Sequence, residues 1–359
     1  MRNIDYDEAK RIEYTGRIRE LLCDLPPFCR EFSRGIENTA SVLTRFGYLN
    51  DLKLFFGFLI EEGIIRKPNI KSIELSDLDA LTPLEIEMFI EYVTVYSKGE
   101  QVITNDERSK ARKLSAIRSI FKFFYKRSKL GNNPASMVDT PKIHRKPIIR
   151  LDVDEVANLL DIVENGDGLT ERQKSYHRST RDRDLAILTL FLGTGIRISE
   201  LVGINVSDVN FMANEFVVTR KGGNKDVLAF GDEVRKALLL YQLQREKIAP
   251  KEGHEDALFL SGQRKRITVR AVENLVKKYA SIAAPLKRIS PHKLRSTYGT
   301  MLYNETGDIY LVAEVLGHKD VNTTQRHYAT VAEDRKRMAA NVIKLRDEDE
   351  CGGSDKDEG

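Results

Sequence analysis

Apolar residues recur along most of this chain with the three- and four-residue spacing of helices, and alternate as in a strand pair at only one place. Residues 39–62 set Leu43, Phe46, Leu49, Leu52, Phe55, Phe56 and Leu59 on one broad face, and Gly63 supplies a stop. Thr82-Pro83-Leu84-Glu85 predicts a helix start, with Thr82 as N-cap and Pro83 in the first position. Ile86, Phe89, Ile90 and Val93 continue that stripe. Between 108 and 130, Leu114, Ile117, Ile120, Phe121 and Phe124 share a face. Gly131-Asn132-Asn133-Pro134 then breaks the helix, and the Pro-containing stretch 139–150 reads as a linker. Asp152-Val153-Asp154-Glu155 caps a short helix running to Leu160. Residues 164–181 read as a polar, irregular, exposed insertion, and 182–192 as a buried helix closed by Gly193 and Gly195. Residues 215–219 and 226–230 are strands by their β-branched and aromatic content, joined by the glycine turn 220–225. Helices are expected over 232–246, 268–280, from Ser290-Pro291 onward, over 309–316 and over 333–345. The result is a mainly α chain with a small β-hairpin or sheet. It divides into an N-terminal helical domain (1–145), a C-terminal domain (146–346) and an acidic tail (347–359) expected to be disordered.

Charge changes this picture locally. Charged residues make up 31% of the 359, yet the net charge is only +4, so any asymmetry lies in runs. Residues 108–130 hold nine Lys or Arg and no acid. A charge run is ordinarily a solvated face, but the absence of carboxylates favours a polyanion, with Lys110, Lys113, Arg118 and Lys122 as its contacts. Arg264, Arg266 and Arg270 form a second basic group. Cys23, Cys29 and Cys351 lack paired metal-ligand spacing, which reads as a reduced, cytoplasmic protein. The N-terminus has no signal-peptide core, and no apolar run approaches the ~20 residues that span a bilayer.

The chemistry-bearing residues come in four short motifs. Gly193-Thr194-Gly195-Ile196-Arg197-Ile198-Ser199-Glu200-Leu201 is an Arg-x-x-Glu element, and Pro291-His292-Lys293-Leu294-Arg295 a His-x-x-Arg element. Leu316-Gly317-His318 follows, and Tyr328 comes ten residues after that histidine. Each alone has an ordinary explanation: a helix-surface ion pair, a structural histidine, a packed ring. Together they supply two arginines, two proton-handling groups and a phenol, the set needed for metal-independent attack on a phosphodiester. The glycine turn is not a phosphate loop, because it lacks the Gly-x-x-x-x-Gly-Lys spacing and a following helix. It fits a hairpin that delivers a lysine, Lys221 or Lys225.

In this order the motifs resemble the tyrosine recombinases of the phage-integrase family, most closely their Xer-type branch, over most of the chain. Residues 194–201 resemble the first arginine box, residues 291–297 the His-x-x-Arg box, Leu316-Gly317-His318 the next histidine and Tyr328 the nucleophile. The turn 220–225 carries one glycine more than the family's usual Gly-Lys-Gly-Asn-Lys, and Lys221, at the strand end, is the preferred catalytic lysine. The resemblance implies a helical core-binding (SAM-like) domain followed by a tyrosine-recombinase catalytic domain. It implies a 3′-phosphotyrosyl intermediate resolved by a partner strand's 5′-hydroxyl, and four protomers on two double-stranded DNA sites. No cofactor, metal or small molecule is called for, because the bond energy is retained.

Residue chemistry fits this carry-over. Negative charge builds on the non-bridging oxygens during attack, and the forked, permanently charged guanidiniums of Arg197 and Arg295 match them, with His318 adding one donor. A phenol of pKa ~10 needs help to ionise, and His292 is the candidate acceptor. Lys221 suits protonation of the leaving 5′ oxygen, and Glu200 an orienting role. A metal-dependent nuclease would need a carboxylate cluster, whereas these motifs offer Glu200 alone. A non-catalytic DNA-binding protein on the same fold is the other alternative.

Overall fold

The computed structural model describes residues 6–143, 148–220 and 223–317, without the side chain of Lys98. The chain divides into two compact units, Met1–Lys146 and Pro147–Gly359.

The first unit runs α1 (Tyr6–Leu22), α2 (Phe28–Gly35), α3 (Val42–Glu61), α4 (Leu75–Asp79), α5 (Pro83–Tyr92), a hairpin of β1 (Val95–Lys98) and β2 (Gln101–Thr104), and α6 (Glu107–Tyr125). The expected starts have local causes. Ser41 accepts from the Thr44 amide at the head of α3, Asp106 does the same for Ser109 at α6, and the Thr82 amide donates to Glu85 at α5. α3 and α6 pack together, and their apolar faces meet α5 in an aromatic core where Phe55, Phe56, Phe89, Phe121 and Phe124 have no exposed surface. The β1–β2 hairpin has no counterpart in the sequence reading. Its strands are only four residues each, and Val95 and Val102 are exposed, so no alternating buried face marks them; Gly99 makes the turn at φ +60°.

The second unit runs α7 (Val153–Asn165), α8 (Glu171–Thr194), α9 (Ile198–Gly203), β3 (Val209–Asn210), β4 (Glu215–Thr219), β5 (Lys225–Ala229), α10 (Asp232–Arg245), α11 (Val269–Ala283), α12 (Pro291–Thr306) and α13 (Ile309–Val315). The three strands form an antiparallel sheet in the order β3-β4-β5, with Val218 opposite Asp226 and Thr219 opposite Lys225. α8 packs against α7, α10 and α12, and residues 184–192 are buried on every side.

α8 corrects the expectation of an irregular insertion. Gly166 ends α7 in the left-handed conformation, Thr170 and Gln173 form a capping box, and one helix of 24 residues follows without a break. Its first half is polar yet anchored. His177 is buried, with Nε2 2.7 Å from the Val163 carbonyl. The carboxylate of Asp184, 1% exposed, accepts from the Arg183 guanidinium at 2.6 Å, the Tyr279 hydroxyl at 2.9 Å, Thr180 at 3.1 Å and Lys278 at 3.3 Å. A search for apolar periodicity reads such a segment as a loop because polar groups occupy its buried face. Among the described residues, no helix is long and apolar enough to cross a membrane.

Candidate active site

Four elements of the second unit converge on the C-terminal end of α13. That helix is held by Val312 and Leu316, both buried, against Tyr298, Leu302 and Tyr303 of α12. Its last carbonyls lack intrahelical partners, and the negative end of its dipole lies there, so cations are favoured. Three arginines take the position. Arg197, the N-cap of α9, donates through Nη2 to the Gly317 carbonyl at 2.9 Å and the Leu316 carbonyl at 3.3 Å. Arg295, one turn into α12 and 4% exposed, donates to the carbonyls of Leu316 and Gly195. Arg220, just beyond β4, reaches the Val315 carbonyl at 3.4 Å.

The carboxylate of Glu200, itself buried, orders two of the three. It accepts from the Arg197 backbone amide at 3.0 Å and from Arg197 Nη1 at 2.7 Å, and lies 3.4 Å from Arg220 Nη1. Asp226 on β5 accepts from Arg220 Nε at 2.9 Å. Two of the three guanidiniums thus contact these two carboxylates, and the positively charged N-terminus of α12 lies beside the third. The Arg197 side chain keeps 33% of its surface exposed, and His292 is exposed on the first turn of α12, three residues before Arg295. This arrangement presents fixed donors and an excess positive charge to a solvent-accessible anion.

Two glycines make the approach possible. Gly195 ends α8 at φ +61°, and a Cβ there would sit 2.5 Å from Tyr298 and 2.8 Å from Leu316. Gly317 has φ +59°, and a Cβ would lie 2.8 Å from the Arg220 guanidinium carbon. No other residue type fits either position without displacing a neighbour. Burial pushes the Tyr298 phenol above its ordinary pKa.

Of the residues singled out in the sequence, Arg197, His292 and Arg295 are described, and the two arginines meet at the Leu316 carbonyl. Lys221, His318 and Tyr328 lie outside the described residues, as do 333–345 and the tail 347–359. Arg220 was missed. The signal was available: Phe216 and Val218 are the buried positions of β4, and the alternation carries inward to residue 220.

The basic residues separate into two kinds. Lys122, Arg264 and Arg270 are exposed, Arg270 with 80% of its side chain free although its Nη1 is 3.3 Å from Glu273. Lys110 is half-buried, 3.4 Å from the Thr94 hydroxyl. Lys113, expected on the open face of α6, is instead 5% exposed and donates to Asn105 Oδ1 at 2.8 Å, with burial pushing its ammonium below the ordinary lysine pKa. Arg118 donates to the Ala135 and Val138 carbonyls and to Thr140. Arg266 donates to the Val202 and Ile204 carbonyls and to Asn205. The donors of these last two are engaged in holding loops.

Among the described residues, no group of three or more His, Cys, Asp or Glu side chains is placed to hold a metal ion.

Comparison with known proteins gives this geometry a family. The chain is 31% identical over 360 residues to the tyrosine recombinase XerS of Streptococcus thermophilus, covering 93% of this chain and all of that one. It is 31% identical to the tyrosine recombinase XerC of Caldanaerobacter subterraneus subsp. tengcongensis, over 90% of this chain and 88% of that one. The fold matches the crystal structure of the XerH site-specific recombinase bound to difH substrate in a pre-cleavage complex, with TM-score 0.60 and 19% identity over 88% of this chain and 83% of that one. Residues 150–335 match the phage integrase family model, an interval that holds both arginine motifs, His318 and Tyr328, and the chain belongs to that family, among its Xer-like tyrosine recombinases.

Proposed function

We propose that this protein binds duplex DNA and recombines it at a specific site through a covalent phosphotyrosyl intermediate, with Arg197, Lys221, His292, Arg295, His318 and Tyr328 as the reacting set. The observation that carries the reading is the meeting of Arg197 and Arg295 at the end of α13, beside the exposed His292, with Arg220 bracing Glu200 behind them. Such a centre is complementary to a dianionic, five-coordinate phosphorus and needs little reorganisation as charge builds on the oxygens. The Tyr328 oxygen attacks phosphorus, and its proton passes to His292. The bond from phosphorus to the 5′ oxygen breaks, and Lys221 protonates that oxygen. A 3′-phosphotyrosyl bond and a free 5′-hydroxyl result. Attack by another strand's 5′-hydroxyl reverses the steps, so the phosphodiester count is unchanged.

Lys110 and Lys122 of α6, with Arg264 and Arg270 of the second unit, are the proposed phosphate contacts, and the proposed location is the cytoplasm. Four protomers on two duplexes give every cleaved strand a partner. The test mixes the protein with sheared DNA of its source organism in EDTA, denatures, and recovers covalent adducts for sequencing. Adducts at one recurring sequence are expected from the wild type and none from Tyr328→Phe, with sedimentation of the undenatured complex giving four protomers. Undiminished adducts in Tyr328→Phe would remove that residue from the reaction, and adducts abolished by EDTA would replace the mechanism with a metal-dependent one.

A further inference from the structure

Arg220 opens the glycine turn, at none of the positions proposed to react, yet its guanidinium joins β5, α9 and the end of α13. Nε meets Asp226 Oδ2 at 2.9 Å across the hairpin, Nη1 lies 3.4 Å from both oxygens of Glu200, and Nη2 is 3.4 Å from the Val315 carbonyl. The side chain is 11% exposed, whereas its partner Asp226 is 48% exposed. A simple cross-strand ion pair would leave the guanidinium on the surface with Asp226; here it is drawn inward to α9 and α13. Gly317 comes so close that any side chain there would strike the guanidinium. The hairpin turn begins at Arg220, whose amide donates to the Asn224 carbonyl at 2.7 Å and whose carbonyl accepts from the Gly223 amide at 3.0 Å.

Chain order gives these contacts their meaning. Arg220 is bonded directly to Lys221, and Gly317 directly to His318. One planar group therefore ties the residue before the proposed proton donor to the residue before the proposed second histidine. The same group shares the carboxylate that orients Arg197. We infer that Arg220 is a positioning residue: its guanidinium fixes the strand end just before Lys221 to α9 and α13, and this anchor governs delivery of the lysine to the leaving oxygen. It acts through Lys221 and does not itself touch the reacting atoms. Lysine cannot replace it, because an ammonium is one point charge and cannot span three acceptors in a plane.

The inference rests on the recombinase reading, and the experiment separates the two. The probe is a nicked duplex carrying the sequence recovered from wild-type adducts, made in two forms: an ordinary phosphodiester at the scissile position, and a 5′-bridging phosphorothiolate, whose thiolate leaves without being protonated. Single-turnover adduct formation is measured for wild type, Arg220→Ala and Arg220→Lys. On the oxygen substrate both variants are expected to be slower by about 100-fold, the scale of a misplaced catalytic group, with duplex affinity unchanged within about threefold. On the sulfur substrate the loss should shrink to about threefold. Both rates come from one preparation, so a partly unfolded fraction cancels in their ratio. Equal losses on the two substrates, no loss on either, or full activity of Arg220→Lys would each overturn the assignment. A wild type that forms no adduct on any duplex overturns the recombinase reading instead.

Discussion

At the scale of single residues, buried polar groups decide more than their number suggests. Asp184 is the clearest case, an acid at 1% exposure that accepts from two cations, a phenol and a hydroxyl. Burial and the carboxylate together push the Tyr279 phenol well above its ordinary range, while burial pushes the Lys278 ammonium below its own. Removing the acid leaves buried positive charge with no counter-ion. Asp184→Ala should therefore cost about 3–5 kcal/mol, read as a lowered urea midpoint, whereas Lys278→Met should cost much less. A comparable midpoint for the two variants would show that the cluster is solvated in practice. Asp51 in the first unit follows the same logic. Burial pushes its carboxyl up while the Arg112 fork pulls it down, and the pair fastens α3 to α6.

At the scale of elements, the caps explain where helices begin, and they link separate parts of the chain. Asp152, the N-cap of α7, accepts from Lys287 Nζ at 2.8 Å, and Glu155 on the first turn accepts from the same ammonium at 2.6 Å. The Lys287 hydrogen bond holds the Asp152 carboxyl below its ordinary 3.8, and Asp152 and then Glu155 hold Lys287 above its ordinary 10.5. For the acid, the lowered folded value means stability present above 3.8 and lost as pH falls through the folded pKa. For the lysine, the raised folded value means stability present below 10.5 and lost as pH rises through the folded pKa. The contribution is thus level across neutral pH. Asp152 is 68% exposed, so Lys287→Met should lower stability by less than about 1 kcal/mol at pH 7. Urea melts of both proteins should converge toward pH 3; a gap that persists there would assign the effect to packing of the lysine stem.

At the scale of the whole molecule, a small net charge coexists with exposed basic groups in both units. Each phosphate contact releases counter-ions, so the slope of log affinity against log salt counts the contacts. Replacing Lys122, Arg264 and Arg270 by Ala should weaken binding to any duplex and reduce that slope by about one per lost contact. Lys113→Ala should leave the slope alone and destabilise the first unit, because its charge faces Asn105. The opposite pattern would place Lys113 on the DNA and the other three in solvent.

The sequence by itself determined the helices whose buried face is apolar, such as α3, α6 and the second half of α8, and the caps at Thr82 and Thr268. It also determined the order of the arginine, histidine and tyrosine motifs, and with it the family. These are properties of neighbouring residues, and a local pattern records them. Tertiary structure alone decided which charges are spent inside. Arg112 meets Asp51 from 61 residues away, Arg295 meets Gly195 from 100, and Arg197 meets Gly317 from 120. A basic residue facing solvent and one facing a buried carbonyl leave the same trace in the chain, so Lys113 looked like Lys122 and the polar start of α8 looked like a loop. Alternation along β4 marked Arg220 as facing inward but could not name what it meets. Its partners lie on β5, α9 and α13, and only folding brings those three to one guanidinium.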